Sequence, residues 1–348
     1  MSTPMMSVTM ETTSVTQQTE EAFSTATSAV DVFLCLFASL LCLFICTGNV
    51  LTILAILRTG ALRTFSNVYV AGLAVADFLV GVSLSLLALF MIPRLRQTLY
   101  FQHINLCVFM QGIVIGMVLL SVEHLCMISV ERYLYIVKPY LYHRIITKNV
   151  VATTMVVAWT LGIFYSLAPQ FSYRPYGEIP VCDPSENLPV EYLVYSNTVI
   201  YFITVAVIIV MYTRILKVAC RQRNAILAVT VVVKADNSNV SPCVMEDESA
   251  KSRRATLKSV KFFLTVFGAY FLCITPMVVC ICVDYFVNVS YILFRILNLI
   301  ALTNSGMNFI IYSIQNKKFR HAFLRMLPCV NKCRRSTPSP SVVSDSDK

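Results

Sequence analysis

Residues 115–140, IGMVLLSVEHLCMISVERYLYIVKPY, end a long apolar run with an acid beside an arginine. A helix needs about 20 mostly apolar residues to cross ~30 Å of hydrocarbon, and this run reaches back to residue 104. Glu131 and Arg132 therefore lie where such a helix leaves the hydrocarbon for water. The segment predicts a membrane-spanning helix with a pair of opposite charges at its rim.

Six further apolar stretches of similar length predict six further spans. Of the 348 residues, 57% are hydrophobic and 13% are charged, whereas soluble domains carry about 25% charged residues. The predicted fold class is an all-α membrane protein, a seven-transmembrane helix bundle without an internal repeat. The predicted spans cover residues 30–57, 66–93, 104–136, 149–171, 191–214, 259–286 and 291–314.

The distribution of basic residues predicts the orientation, because short cytoplasmic loops are rich in Lys and Arg. Of the 28 Lys and Arg residues, 24 lie on the side that holds the loops after spans 1, 3 and 5 and the C-terminus; the other four are Arg94, Arg96, Arg174 and Arg295. The N-terminus is therefore predicted outside and the C-terminus in the cytoplasm. The net charge of +10 is then a cytoplasmic rim and not a nucleic-acid-binding surface.

Three segments are predicted to lack regular structure. Residues 1–29 are rich in Ser and Thr and lack an apolar core of signal-peptide length, so we expect a disordered extracellular N-terminus and no cleaved signal. Within the seven-span domain, residues 30–328, the inner loop 222–251 is predicted to be flexible. Residues 329–348 are polar and contain several Ser and Pro, which predicts a disordered cytoplasmic tail.

Two cysteines are notable for their position. Cys107 begins the third span on the outer side, and Cys182 lies in the outer loop between spans 4 and 5. Both face an oxidising compartment, so we predict a disulfide that holds this loop over the mouth of the bundle. Two unpaired thiols are the alternative.

One carboxylate lies in the middle of a predicted span. Inserting an acid such as Asp77, within LAVADFLVG, into a membrane costs roughly 2.5–3.5 kcal/mol, so its presence needs a reason. Other spans offer small polar groups at similar depth: Asn49, Ser121, Asn304, Ser305 and Asn308. A carboxylate surrounded by neutral oxygens suits a small cation such as sodium, and a dry hydrogen-bond network is the alternative.

Arg132 shares one face of the third span with Val114 and Ser121, which precede it by 18 and 11 residues, close to whole helical turns. An arginine at the inner rim can be held by Glu131 and, once released, can contact a partner that enters from the cytoplasm. The alternative is an ordinary interfacial arginine.

Together these features resemble those of class A (rhodopsin-like) G-protein-coupled receptors over about residues 30–330. The shared motifs, in chain order, are GNV with Asn49, LAVAD with Asp77, Cys107, ERY with Arg132, Trp159, Cys182, Tyr212, CITP with Pro276, and NFIIY with Asn308 and Tyr312. NKKFRHAFLRML, residues 316–327, is similar to the amphipathic helix that lies along the inner membrane surface in this family. The sequence motif LAVADFLVG is shared with amine-, adenosine- and melatonin-type receptors.

The resemblance implies a non-enzymatic receptor in the plasma membrane that couples to heterotrimeric G proteins. Arg132 would engage the G protein once span 6 moves outward, with support from Glu131, Tyr133, Tyr212, Pro276, Asn308 and Tyr312. Asp77, Ser121, Asn304 and Asn308 would form an allosteric sodium site, and no other cofactor is implied. Further partners would be arrestin, receptor kinases and membrane lipid, and Cys329 and Cys333 would be candidates for palmitoylation.

The sequence departs from the family pattern at four positions. Ile274 replaces the usual tryptophan of span 6, Thr204 the proline of span 5, and Phe309 the proline of NPxxY. Thr256 stands where many relatives carry an acid that locks the arginine. We hypothesise elevated ligand-independent signalling from Thr256; the competing hypothesis is that Ile274 and Phe309 leave a poorly coupled receptor.

The positions that form the family's ligand pocket are mostly apolar here. Val114 replaces the aspartate of amine receptors, and Leu302 replaces the lysine of retinal opsins, so neither a salt-bridged monoamine nor covalent retinal is expected. A neutral or weakly polar small molecule is favoured. Asp284 and Arg295 at the rim either pair with each other or meet a charged ligand. The predicted pocket residues are Gln111, Val114, Ile115, Val118, Ser196, Asn197, Ile274, Met277, Ile281, Phe294 and Asn298.

Several residues stand outside these sites. Glu123 and His124 lie in the middle of span 3 without an evident partner. Asn288 begins a glycosylation sequon in the outer loop before span 7. The tail residues 336–346 include several Ser and Thr that kinases could phosphorylate, which would suit the basic groove of an arrestin.

Three other functions compete with a signalling receptor. A transporter usually shows internal repeats and several charged groups at mid-membrane. A membrane enzyme needs a catalytic set, and the four histidines of this chain are scattered. A receptor-like protein that couples weakly or not at all, and acts by forming heteromers, remains the alternative that Ile274 and Phe309 favour.

Overall fold

The computed structural model describes residues 29–89, 104–172, 188–235, 245–287 and 289–326. Within these ranges, seven helices are long and apolar enough to cross a membrane, which confirms the predicted fold class. A 3-10 turn, Gly60–Leu62, precedes the second helix, and a π-helical turn, Glu191–Ser196, leads into the sixth. The helices are α1 Ala29–Arg58, α2 Phe65–Leu89, α3 Ile104–Val137, α4 Pro139–Ile145, α5 Lys148–Ser172, α6 Asn197–Ala235, α7 Met245–Asp284, α8 Tyr291–Gln315 and α9 Lys317–Met326.

Helix α3 lies at the centre of the bundle. It packs against α2, α5 and α6 and also contacts α7 and α8. In its most apolar stretch 61% of the residues are buried, compared with 22% in α5 at the periphery. Because Val114, Ser121 and Arg132 share one face of α3, this central position brings that face against several helices at once. We call the two ends of the bundle the Cys107 end and the Arg132 end.

The outer surface of the bundle is apolar. Large side chains such as Leu40 on α1, Phe164 on α5 and Leu272 on α7 are mostly exposed. Water would disfavour so large an apolar surface, whereas lipid tails solvate it without penalty. The exposed faces thus agree with seven helices that cross a bilayer.

The short helix α9 is amphipathic, as its sequence predicts. Phe319 and Ala322 are buried, whereas Arg320 is exposed. The Phe319 ring stacks on Tyr312 at 5.2 Å, and the Phe323 ring lies 5.1 Å from Phe309. These ring contacts fix α9 against the end of α8.

The structure differs from the sequence prediction between spans 5 and 6. Helix α6 continues to Ala235 and α7 begins at Met245, so most of the segment predicted as a flexible loop, 222–251, is helical. Residues 222–235 and 245–251 contain no Gly or Pro, and a helix that has already formed extends at little cost through such a sequence. Loss of apolar character marks the membrane boundary but does not end a helix.

Several predicted features lie outside the described residues. They are the N-terminal segment 1–28, residues 90–93 of the second predicted span, Cys182, Asn288, and the tail with Cys329 and Cys333. The side chain of Thr256 is also outside the description, although its backbone belongs to α7.

Candidate functional site

A buried polar cluster joins α1, α2, α3 and α8 around Asp77. The Asp77 side chain is fully buried, and Asn308 Nδ2 donates a hydrogen bond of 2.9 Å to Asp77 Oδ2. Asp77 Oδ1 and Ser121 Oγ are buried without a hydrogen-bond partner. A buried oxygen without a partner is costly, and either a small cation or a hydrogen bond from the Ser121 hydroxyl to the carboxylate would satisfy both atoms.

The remaining polar residues of the cluster lie on α1 and α8, and one of them joins these two helices by hydrogen bonds. Asn49 Nδ2 donates to the Ile45 carbonyl at 2.9 Å and to the Ser305 carbonyl at 3.0 Å, so α1 and α8 are joined at this depth. Asn304 and Ser305 are both buried. The four residues predicted for a sodium site therefore lie on three helices that meet in the bundle core.

At the Arg132 end, Glu131 is held at both oxygens. Arg132 Nε lies 2.8 Å from Glu131 Oε2, and the Tyr142 hydroxyl donates to Glu131 Oε1 at 3.0 Å. The Arg132 guanidinium also lies 5.6 Å from the centre of the Tyr135 ring, in cation–π geometry. Burial, and then the charge of Glu131, raise the pKa of Tyr142 to about 12, so this tyrosine stays a hydrogen-bond donor at neutral pH.

Two buried tyrosines, Tyr212 and Tyr312, and the aromatic rings around them pack the core next to the Arg132–Glu131 pair. Tyr212 on α6 and Tyr312 on α8 are buried, and Ser129 Oγ donates to the Tyr212 hydroxyl at 3.4 Å. Tyr312 lies between the Phe319 ring of α9 and the Phe262 ring of α7, at 5.2 and 5.6 Å. The inner part of α7 is thus packed against α8 and α9 through Tyr312.

A cavity of 130 Å³ lies nearer the Cys107 end, between α3, α6, α7 and α8. Ten of the eleven predicted pocket residues line it, and none of its described lining residues is charged. Tyr201 and Tyr270 also line it and were not predicted. Their spacing gave a signal, since Tyr201 follows Asn197 by four residues and Tyr270 precedes Ile274 by four, which places each pair on one helix face.

The profile of the 7 transmembrane receptor (rhodopsin family) matches residues 48–312. The chain belongs to this family. The match covers all seven spans at least in part and includes every residue of the Asp77 cluster and of the Arg132–Glu131 pair.

Individual relatives are similar over most of their length. The D(1A) dopamine receptor of Xenopus laevis is 28% identical, with 88% of this chain and 75% of the relative aligned. The lysophosphatidic acid receptor 3 of Mus musculus is 29% identical over 87% and 81%, and the alpha-1A adrenergic receptor of Oryzias latipes is 27% identical over 85% and 66%. The chain is therefore a multi-pass membrane receptor with distant similarity to each of them.

Ser196 is the predicted pocket residue that does not line the receptor's cavity. Its Oγ lies 2.7 Å from the Tyr165 hydroxyl of α5 and donates to the Tyr192 carbonyl at 2.6 Å. The π-helical turn Glu191–Ser196 shifts the register of α6 relative to a regular helix, which directs Ser196 towards α5. The Tyr165 and Tyr192 rings stack at 4.6 Å beside it.

Four further residues have partners or positions that the sequence left open. Asp284 Oδ1 accepts a hydrogen bond from the Val289 backbone N–H at 2.8 Å, and Arg295 is buried. His124 is buried against the Trp159 ring at 6.0 Å, with Nδ1 2.7 Å from the Leu120 carbonyl. Cys107 is buried and disulfide-bonded, and the pairing with Cys182 stays a prediction because Cys182 lies outside the described part of the chain.

Proposed function

We propose that this receptor passes a signal from a small, neutral or weakly polar extracellular ligand to heterotrimeric G proteins. The observation that carries the proposal is the arrangement on α3. Val114 and Arg132 lie on the same face of this helix. Val114 lines an uncharged cavity near the Cys107 end, and Arg132 is paired with Glu131 at the opposite end. A ligand that moves α3 or its neighbours at the Cys107 end can therefore change the position of Arg132, and its pairing with Glu131, at the other end.

The distribution of Lys and Arg supports a cytoplasmic location for the Arg132 end, as the family's mode of coupling requires. Palmitoylation of the tail, and its recognition by receptor kinases and arrestin, belong to the same proposal.

The cavity supports a neutral ligand with a hydrogen-bond donor. Asn197 Nδ2 donates to the Tyr192 and Leu193 carbonyls at 3.0 and 3.1 Å. Both partners are acceptors, which fixes the orientation of the amide and leaves Asn197 Oδ1 to accept from a ligand. The relatives are named for dopamine, for lysophosphatidic acid and for adrenergic ligands, and these names do not select one ligand chemistry.

The experiment that tests the proposal measures guanine-nucleotide exchange on purified G proteins. Membranes that contain the receptor are mixed in turn with each class of heterotrimer, and membranes from mock-transfected cells give the background. We expect faster exchange on at least one class before any ligand is added. Exchange at background level on every class, with the receptor shown to be folded, would contradict ligand-independent coupling and would favour the second candidate given below.

A poorly coupled, heteromer-forming partner is the second candidate, and Phe309 favours it. A Cβ on Gly48 would lie only 3.0 Å from Phe309, and the Phe309 ring meets Phe44 of α1 and Phe323 of α9. These contacts pack α8 against α1 and α9 at the position where the family pattern has a proline. The exchange experiment separates the two candidates.

Sodium is expected to stabilise the receptor through Asp77. Binding only to the folded state raises the free energy of unfolding by about 1.4 kcal/mol at ten times the dissociation constant. We expect sodium, but not a bulky organic cation, to raise the thermal midpoint of the purified receptor. Asp77→Asn is expected to remove this shift, whereas Asp284→Asn, outside the cluster, is expected to keep it. A sodium shift that persists in Asp77→Asn would favour the dry hydrogen-bond network.

Basal signalling is expected to rise when the contact between α7 and α8 is removed. Gln315 Nε2 donates to Thr265 Oγ1 at 3.0 Å, and an outward movement of α7 would break this bond. A hydrogen bond contributes about 0.5–1.5 kcal/mol, so Thr265→Val or Gln315→Leu is expected to raise ligand-independent exchange by about two- to ten-fold. Thr265→Ser retains the hydroxyl and is expected to match the wild type. Unchanged exchange in both apolar variants would mean that this bond does not hold the closed form.

A further inference from the structure

A second cavity, of 480 Å³, opens at the Arg132 end between α2, α3, α8 and α9. We call it the inner basin. Its charged lining residues are Glu131, Arg132, Lys317 and Lys318. The proposed function uses the Arg132 side of the basin and assigns no role to the two lysines.

The inner basin carries a net positive charge. Glu131 is the acid among its described lining residues, and both of its oxygens are engaged, one by Arg132 and one by Tyr142. The paired Glu131 and Arg132 contribute no net charge, so the excess comes from Lys317 and Lys318. A concave surface of one sign concentrates its field within the cavity and attracts counter-charged ligands.

The hydrogen-bonding groups of the basin are biased towards donors. Asn316 Oδ1 accepts from the Lys318 and Phe319 backbone N–H groups, at 3.1 and 3.5 Å. The Oδ1 atom is thereby occupied, Nδ2 is the donor that remains on this amide, and Asn316 lines the basin. Two ammonium groups and an amide N–H₂ therefore belong to a lining in which Glu131 is the acid among the described residues and already has partners. Such a set suits an acceptor-only ligand with several negative charges.

We propose that the inner basin binds a polyphosphorylated anion. This chemistry is shared by soluble inositol polyphosphates and by phosphoinositide headgroups, and a volume of 480 Å³ is in the range that holds a ligand of such size. The bound anion lies beside Arg132, so it excludes a G protein from that arginine. The exclusion rests on the proposed function, whereas the binding does not.

The binding experiment uses the purified full-length receptor in nanodiscs. In one arm the discs contain only zwitterionic lipid, and inositol hexakisphosphate is titrated from solution. In the other arm the discs contain phosphatidylinositol 4,5-bisphosphate, detected by its protection of the receptor against heating. Binding in the first arm identifies a soluble source and binding in the second a lipid source, and either supports the proposal. Binding in neither arm overturns it.

Three variants show whether the anion occupies the basin. Lys317→Gln with Lys318→Gln is expected to weaken binding by about ten-fold or more. Arg320→Gln with Arg325→Gln removes the same charge from the same helix, but neither arginine is among the described lining residues, so affinity is expected to stay within about two-fold. Equal losses in both double variants would show only general attraction to a basic helix and would overturn the proposal.

The third variant, Asn316→Asp, separates binding from folding. Aspartate still accepts the Lys318 backbone N–H, so α9 keeps its N-terminal hydrogen bond, but a lining residue exchanges its amide donor for a negative charge. We expect an unchanged thermal midpoint without ligand and a loss of anion binding of about ten-fold. Undiminished binding in this variant would also overturn the proposal. The last measurement is nucleotide exchange with and without the anion. We expect the anion to slow exchange by the wild type but not by the Lys317→Gln, Lys318→Gln variant. Equal slowing in both would contradict the idea that the anion excludes a G protein from Arg132.

Discussion

Replacing Arg132 with alanine is expected to abolish nucleotide exchange on the G protein while the receptor still reaches the cell surface. The guanidinium lies at the rim of the inner basin, paired with Glu131 and facing the Tyr135 ring. Central arginines at interfaces contribute about 2 kcal/mol or more, which corresponds to a loss of about thirty-fold or greater. The measurement is exchange on the heterotrimer that the wild type activates, normalised to surface receptor.

A matched change at Glu131 is expected to act in the opposite direction. Glu131→Gln keeps an oxygen to accept from Tyr142 but removes the charge that holds Arg132. The attraction between the Glu131 charge and Arg132 is then lost, which favours contact of Arg132 with a G protein, so basal exchange is expected to rise. If both variants lowered exchange to the same extent, damage to this end of the bundle would explain the result, and Arg132 would have no direct role.

The spans could be predicted from the sequence because the bilayer imposes a length on each helix. About 20 apolar residues are needed whatever the neighbouring helices do, so the apolar runs alone located all seven. The ends of α6 and α7 could not be predicted in this way. Both helices continue beyond the apolar runs, because backbone hydrogen bonds within each helix stabilise the extension.

Residues that share a helix face could also be predicted, since helical periodicity decides which side chains point together. This is why Gln111, Val114 and Val118 line one cavity with residues of four other helices. The prediction for Ser196 was wrong because this residue ends a π-helical turn, and its Oγ lies 2.7 Å from the Tyr165 hydroxyl instead of lining the cavity. Regular helical periodicity does not reveal such a turn.

Two hydrogen bonds at the Arg132 end could not be predicted from the sequence for the same reason. Tyr142 reaches Glu131 from the loop helix α4, and Gln315 reaches Thr265 across two spans, 50 residues apart. Each pair is joined by the tertiary arrangement, and each partner alone is an unremarkable polar residue. Thr256 stands where many relatives carry an acid that locks the arginine, whereas the structure shows a neutral hydrogen bond between Thr265 of α7 and Gln315 of α8.

Replacing Gly116 with alanine is expected to lower the stability of the receptor while leaving the site residues in place. Gly116 lies on α3, two residues after Val114, where α3 and α5 approach closely. A Cβ there would lie 2.7 Å from the Ser166 Cα and equally close to its Cβ. Overpacking of this kind costs about 1–3 kcal/mol, and helices in membranes depend on small residues for close approach. We expect a lower thermal midpoint and less receptor at the surface.

Gly268→Ala in α7 is the matched control, because a Cβ at Gly268 meets nothing within 4 Å. Alanine there is expected to leave the midpoint unchanged or to raise it, since glycine inside a helix is about 1 kcal/mol less favourable. Adding Ser166→Ala to Gly116→Ala removes the Ser166 hydroxyl but leaves the Cα in place. We therefore expect no recovery, because the backbones of α3 and α5 set the spacing. Full recovery would show instead that the serine side chain alone limits the approach, and that α3, with Val114 and Arg132 on its one face, can shift against α5 without loss of the fold.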